Sequence, residues 1–220
     1  MTQQGYAHIT ILADRTGSTG TVTDPGRTRA MDFTDGIKSL IADHTAAPGR
    51  TTFSLVEFMH SGSMKLARLL WFDQGSSLET WSIKPYGNTP LLDAIGTVIT
   101  DTGTHLEAMP EDQRPERVYF VIATDGEENS SREYTLEQVK TMIAHQRDAY
   151  QWEFVFIGAG IDAFAEAGGM GIGAQGTLRT NAGSSVAMAA AYSSTSDAML
   201  RSRASGRRVS YTDEERTASK

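Results

Sequence analysis

Three runs in this chain, residues 7–13 (AHITILA), 118–124 (VYFVIAT) and 153–158 (EFVFIG), are largely apolar on successive positions, not only on alternate ones. Strands of that kind are covered on both faces, which is the pattern of parallel strands inside an α/β sheet. Between them lie segments of helical period: Phe33, Ile37, Leu40 and Ile41; Leu91, Leu92, Ile95, Val98 and Ile99; Leu136, Val139, Met142 and Ile143. Ala46-Ala47-Pro48-Gly49 stops the first helix, Thr89 and Pro90 suit the start of the second, and Thr135 with Gln138 makes a capping box for the third. Residues 51–58 and 65–72 are strand-like and joined by His60-Ser61-Gly62-Ser63, a hairpin signal that supplies one antiparallel edge strand. A short helix near 162–167, a last strand at 176–180 and an Ala- and Ser-rich helix over 184–203 with poor periodicity complete the reading. The fold class expected is α/β: three layers around a doubly wound, mostly parallel sheet. One domain covers residues 1–200, and residues 201–220 form a polar, disordered tail.

Composition removes several chemistries. With no cysteine there are no disulfides, thiolate metal sites or cysteine nucleophiles, which also fits a reducing cytoplasm. The net charge is −7; six basic against three acidic residues from Arg201 onward leave −10 on residues 1–200. An acidic body argues against nucleic acid as a partner, since that footprint is basic. No apolar stretch is long enough to span a membrane and no signal-type segment opens the chain, so no membrane role and a cytoplasmic location are expected.

Ligands of open α/β sheets bind beyond the carboxyl ends of strands, where the strand order reverses. Asp14-Arg15-Thr16-Gly17-Ser18 follows the first strand, Thr124-Asp125-Gly126-Glu127-Glu128-Asn129 follows the strand at 118–124, and Gly87-Asn88-Thr89-Pro90 precedes the second long helix. Two carboxylates and three hydroxyls at one edge suit a hard divalent cation. A cation with only two carboxylates keeps positive character and favours an incoming anion.

These segments resemble the three parts of the metal-ion-dependent adhesion site (MIDAS) of von Willebrand factor type A (vWA) domains, in the short intracellular form found in bacteria and phages. The resemblance covers roughly residues 6–180. It implies a Rossmann-like vWA fold whose third strand is the antiparallel edge, and it makes Asp14, Thr16, Ser18, Thr89 and Asp125 the metal residues. Thr16 departs from the family's usual Ser but keeps the hydroxyl. The implied cofactor is Mg2+, with Mn2+ or Ca2+ as substitutes. The implied function is non-enzymatic: a protein partner offers an Asp or Glu to the ion, and a MoxR-type AAA+ ATPase is a partner class that the resemblance suggests.

Two other functions compete with this reading. A self-associating scaffold would use the open edge strand, or an acidic side chain of a second copy in the site. A Mg2+-dependent phosphohydrolase would use the same carboxylates, but no Lys, Arg or His is placed by motif to bind phosphate. Gly158-Ala159-Gly160 and Gly171-Ile172-Gly173 lack the context of a dinucleotide fingerprint and read as tight turns. Glu127, Glu128 and Asn129 read as solvated loop residues, Arg15 as a surface charge that could steer a partner, and the five histidines as structural or surface groups.

Overall fold

The computed structural model describes residues 2–61, 63–75 and 78–220. A six-stranded sheet is built from β1 (Gln3–Asp14), β2 (Arg50–Ser61), β3 (Ser63–Asp73), β4 (Pro115–Thr124), β5 (Glu153–Ala159) and β6 (Thr177–Thr180), in the order β3-β2-β1-β4-β5-β6. Every pairing is parallel except β2 with β3. The expected hairpin is therefore present, with its tip residue Gly62 outside the described residues. The helices are α1 (Arg29–Ala46), α2 (Leu91–Ala108), α3 (Leu136–Tyr150), α4 (Ala163–Gly169), α5 (Ser185–Ser205) and α6 (Asp213–Ala218). Among the described residues no helix is long and apolar enough to cross a membrane.

Two apolar layers follow from the alternation of each strand. Ile9, Ile11 and Ala13 of β1 join Tyr119, Val121 and Ala123 of β4 beneath α1 and α5. Leu12, Phe120, Ile122 and Phe156 form the other layer with α2, α3 and α4. Winding reverses between β1 and β4, which are neighbours in the sheet although far apart in sequence. That crevice is where an α/β sheet offers its ligand site.

The poor periodicity of α5 has a packing cause. Its buried positions are mostly small or hydroxylated: Ala187, Ala191, Ser194, Thr195, Ser196, Ala198 and Ser202. Ser196 Oγ donates to Asp43 Oδ2 at 2.8 Å, and Ser202 Oγ to the Arg207 carbonyl at 2.7 Å. Such residues hide the buried stripe from a hydrophobicity reading while letting α5 lie close on α1. At the contact, the Tyr192 ring covers Gly36, where a Cβ would stand 2.1 Å from a ring carbon.

The tail differs from its expectation. α5 runs on to Ser205, and residues 207–220 fold back on the sheet instead of remaining disordered. Val209 and Tyr211 are buried, with a hydrogen bond between the Tyr211 and Thr195 hydroxyls at 2.9 Å. A capping box of Thr212 and Glu215 starts α6. Arg216 Nη1 then donates to the Thr177 carbonyl, Ser219 Oγ donates to that of Arg179, and Asn181 N donates to the Ser219 carbonyl. Two carbonyls on the outer rim of β6 are thereby capped by the tail, which covers part of an open strand edge. The polar composition that suggested disorder is the composition needed to bond a strand rim.

His8 is an exception to the apolar character of β1. It is fully buried, with Nδ1 2.9 Å from Thr52 Oγ1 and Nε2 3.2 Å from both Thr10 Oγ1 and Ser54 Oγ. Phe72 stacks on its ring at 3.7 Å. Burial, and secondarily the charge of His105, push its pKa down to about 3.

Two predictions follow from the packing. Gly36→Ala should destabilise the protein by about 1–3 kcal/mol, because overpacking forces Tyr192 or α5 to move; urea unfolding measures it. His8 binds no proton when folded but titrates near its ordinary value when unfolded. The unfolded chain therefore takes up more protons between about pH 6.5 and about 3. His8 contributes stability that is complete above this window and is lost as pH falls through it. The urea midpoint should decline below pH 6.5, less steeply in His8→Gln; equal slopes would contradict the assignment.

Candidate metal centre

β1 ends on Asp14 and β4 ends on Thr124, so the carboxylates of Asp14 and Asp125 arise side by side at the reversal point. Asp14 is wholly buried and held by two donors. Thr16 N donates to Oδ1 at 2.7 Å, and Thr124 Oγ1 donates to Oδ2 at 2.6 Å. A tight turn over residues 17–20 follows, in which Thr19 N and Oγ1 both donate to the Thr16 carbonyl. This turn points Thr16 and Ser18 to one place: their hydroxyl oxygens are 3.1 Å apart.

Thr89 comes from a different loop. Gly17 N donates to the Gly87 carbonyl at 2.9 Å, and His60 and Asn88 exchange backbone hydrogen bonds, so the 86–89 segment is fixed to β1 and β2 together. Thr89 Oγ1 then lies 3.3 Å from Thr16 Oγ1. It does not cap α2, as its position before Pro90 suggested. The helix begins at Leu91, and its first amides are met from the loop after β4: Leu92 N donates to Glu128 Oε2 at 2.9 Å and Asp93 N to Ser131 Oγ at 3.0 Å. The Thr89 hydroxyl is thereby left to the site.

Glu128 is half-buried and Asn129 exposed, but both have structural roles. Glu128 also accepts from Ser130 N, Ser131 N and Ser131 Oγ. Asn129 Oδ1 accepts from Thr89 N at 3.0 Å, and Asn129 N donates to the Thr89 carbonyl at 3.1 Å. Gly126 permits the approach of these loops, since a Cβ there would sit 2.8 Å from Thr89 Oγ1. Arg15, read as a surface charge, is mostly buried and pairs with Glu57 at 3.2 Å.

Asp125 closes the cluster. Its Oδ1 accepts from Ser18 Oγ at 2.7 Å, and its Oδ2 takes Arg29 Nη1 at 3.0 Å. Arg29 Nε donates in turn to the Ala182 carbonyl at 3.0 Å. Arg29 is a site residue that sequence reading missed: it sits at the start of α1, with no motif linking it to Asp125. Thr124, the donor to Asp14, was within reach of such a reading, because it precedes Asp125 at the end of a strand.

The five residues singled out in the sequence are thus brought together, four of them almost wholly buried and Ser18 half-buried. One guanidinium faces two carboxylates. Burial, and then the neighbouring charge of Asp125, push the Asp14 carboxyl up to about 6 despite its hydrogen bonds from Thr124 and Thr16. The pocket is short of positive charge. Oxygen ligands about 2.0–2.1 Å from an octahedral ion stand about 3 Å from one another. The contacts Ser18–Asp125, Thr16–Ser18 and Thr89–Thr16, at 2.7, 3.1 and 3.3 Å, form a chain of that spacing. Among the described residues there is no group of three or more His, Asp or Glu placed to hold a metal; this set is of another composition, carboxylates with hydroxyls, whose oxygen donors are of the kind a hard cation takes.

The sequence matches no protein-family model and no curated protein. Its likenesses are structural. Proximal thread matrix protein 1 from the mussel byssus, with a zinc-occupied MIDAS motif, superposes with a TM-score of 0.63 at 14% identity, over 92% of this chain and 48% of that one. The VWA domain of SpRpn10 gives 0.52 at 15% identity, over 79% of this chain and 86% of that one. A von Willebrand factor type A protein from Catenulispora acidiphila gives 0.55 at 14% identity, over 90% and 43%. This chain spans about half the length of the mussel protein. With the strand order and the single antiparallel edge, these likenesses establish that the chain has the von Willebrand factor type A fold.

Proposed function

We propose that the chain is a metal-dependent protein-binding module in which Asp14, Thr16, Ser18, Thr89 and Asp125 hold a divalent cation, Mg2+ foremost, with Mn2+ or Ca2+ able to replace it. The observation that carries the reading is the chain of side-chain oxygens from Thr89, Thr16, Ser18 and Asp125, spaced as ligands of one ion would be, beside the buried carboxylate of Asp14. A bound divalent cation supplies a positive centre that attracts an anionic oxygen. The chain's own residues do the rest. Thr16 N and Thr124 hold the Asp14 carboxylate in one orientation. The backbone bonds of Asn129 fix Thr89. Arg29 offsets part of the negative charge at Asp125, which keeps the site's total charge low enough to accept an Asp or Glu from a partner.

The partner on this reading is a protein, and the module binds without catalysing a reaction, in the cytoplasm. Adaptor work beside a MoxR-type AAA+ ATPase is the assignment that the vWA resemblance favours. A zinc-occupied MIDAS motif in the mussel protein supports divalent-ion binding by this fold.

Calorimetric titration with Mg2+, Mn2+, Ca2+ and Zn2+ tests the site directly. A cation at about a hundred times its dissociation constant stabilises the folded state by about 2.7 kcal/mol, or roughly 5–10 °C in melting temperature for a chain of this size. Asp14→Asn and Asp125→Asn should abolish that gain, while Thr16→Ser should retain it. In EDTA, Asp14→Asn should melt above the parent protein, because it relieves the repulsion between two buried carboxylates. No heat and no thermal shift with any of the four ions would sink the reading.

A further inference from the structure

A groove of about 660 Å3 lies at the carboxyl ends of β5 and β6. Its walls carry Arg179, Arg216 and Lys220 and no acidic residue, on a chain whose net charge is −7. Arg216 donates to two neutral carbonyls, those of Thr177 and Ala174, so these bonds leave its charge uncompensated. Among the described residues neither Arg179 nor Lys220 forms an ion pair. Three like charges gathered on an oppositely charged body concentrate the local field and select for an anion.

An apolar side chain stands beside these charges. Phe164 is 42% exposed, with the Arg216 guanidinium 5.6 Å from its ring centre. Cations and an apolar wall together suit a polypeptide carrying carboxylates. A free phosphate would leave Phe164 uncovered.

One side chain links the groove to the candidate metal centre. Ala182 lines it, and the Ala182 carbonyl is bound by Arg29, the same side chain that pairs with Asp125. We propose that this groove receives a Glu- or Asp-rich segment of the protein partner whose single carboxylate the metal centre takes, so that recognition has two anchors joined across Ala182. Only the second anchor rests on the function proposed above; the chemistry of the groove stands without it.

The test uses a fluorescein-labelled octaglutamate peptide, with octaglutamine as control, followed by anisotropy in millimolar Mg2+ and in EDTA. Octaglutamate should bind and octaglutamine should not. Arg179→Glu and Lys220→Glu, both at exposed positions, should each weaken binding roughly tenfold in either buffer. Lys140→Glu, an equal change of net charge on α3, should leave it unaltered. Asp125→Asn should remove only the increment that Mg2+ adds. Binding insensitive to Arg179→Glu, binding weakened as much by Lys140→Glu, or full displacement of the peptide by inorganic phosphate would each overturn the proposal. If Arg179→Glu weakens binding but Mg2+ adds nothing, the groove stands and the metal reading fails. If Mg2+ and Asp125 matter but Arg179 does not, the reverse holds.

Discussion

The whole upper face of the sheet depends on one buried carboxylate. Asp14 ends β1, lies out of reach of solvent, and is gripped from two directions: by the amide of its own turn and by the hydroxyl that ends β4. The first bond shapes the turn that aims Thr16 and Ser18. The second ties the turn to the neighbouring strand, from which Asp125 emerges one residue later. A carboxylate in such a place is costly, and its raised pKa records the cost.

Around that carboxylate the loops are held by polar clamps more than by packing. Glu128 accepts four hydrogen bonds, one of them from the first turn of α2. Asp93, at the start of α2, answers by accepting from Arg132 N, Glu133 N and Tyr134 N. The two acids lock the loop after β4 to the start of α2 reciprocally. Asn129 uses the same lock to fix Thr89. The hydroxyls at the site are thus positioned by backbone-directed hydrogen bonds, which are stiffer than side-chain packing would be.

Much of this was legible in the sequence, for local reasons. Doubly apolar runs gave the parallel strands, and the capping box of Thr135 and Gln138 marks the start of α3 as expected. Asp14, Thr16 and Ser18 share one turn, so their convergence follows from spacing. What escaped depends on contacts between distant segments. Nothing near Glu128 announces that its partners include Leu92, and nothing near Arg29 points to Asp125. The capping role read for Thr89 failed for a similar reason: Glu128, 36 positions from Leu92, supplies the helix's first acceptor, which frees the threonine. The tail was misjudged because polarity alone does not separate a solvated segment from one that bonds a strand rim.

That last feature bears on how the polypeptide emerges from the ribosome. The strands from β1 to β6 can assemble once residue 180 is available, but the carbonyls of Thr177 and Arg179 find Arg216 and Ser219 only when residues 213–219 have been translated. Until then a nascent chain carries β6 as an unfinished rim, able to pair with another copy on the same message. Synthesis order therefore places the protecting segment after the strand it covers, and termination between the two would release chains prone to stick to one another.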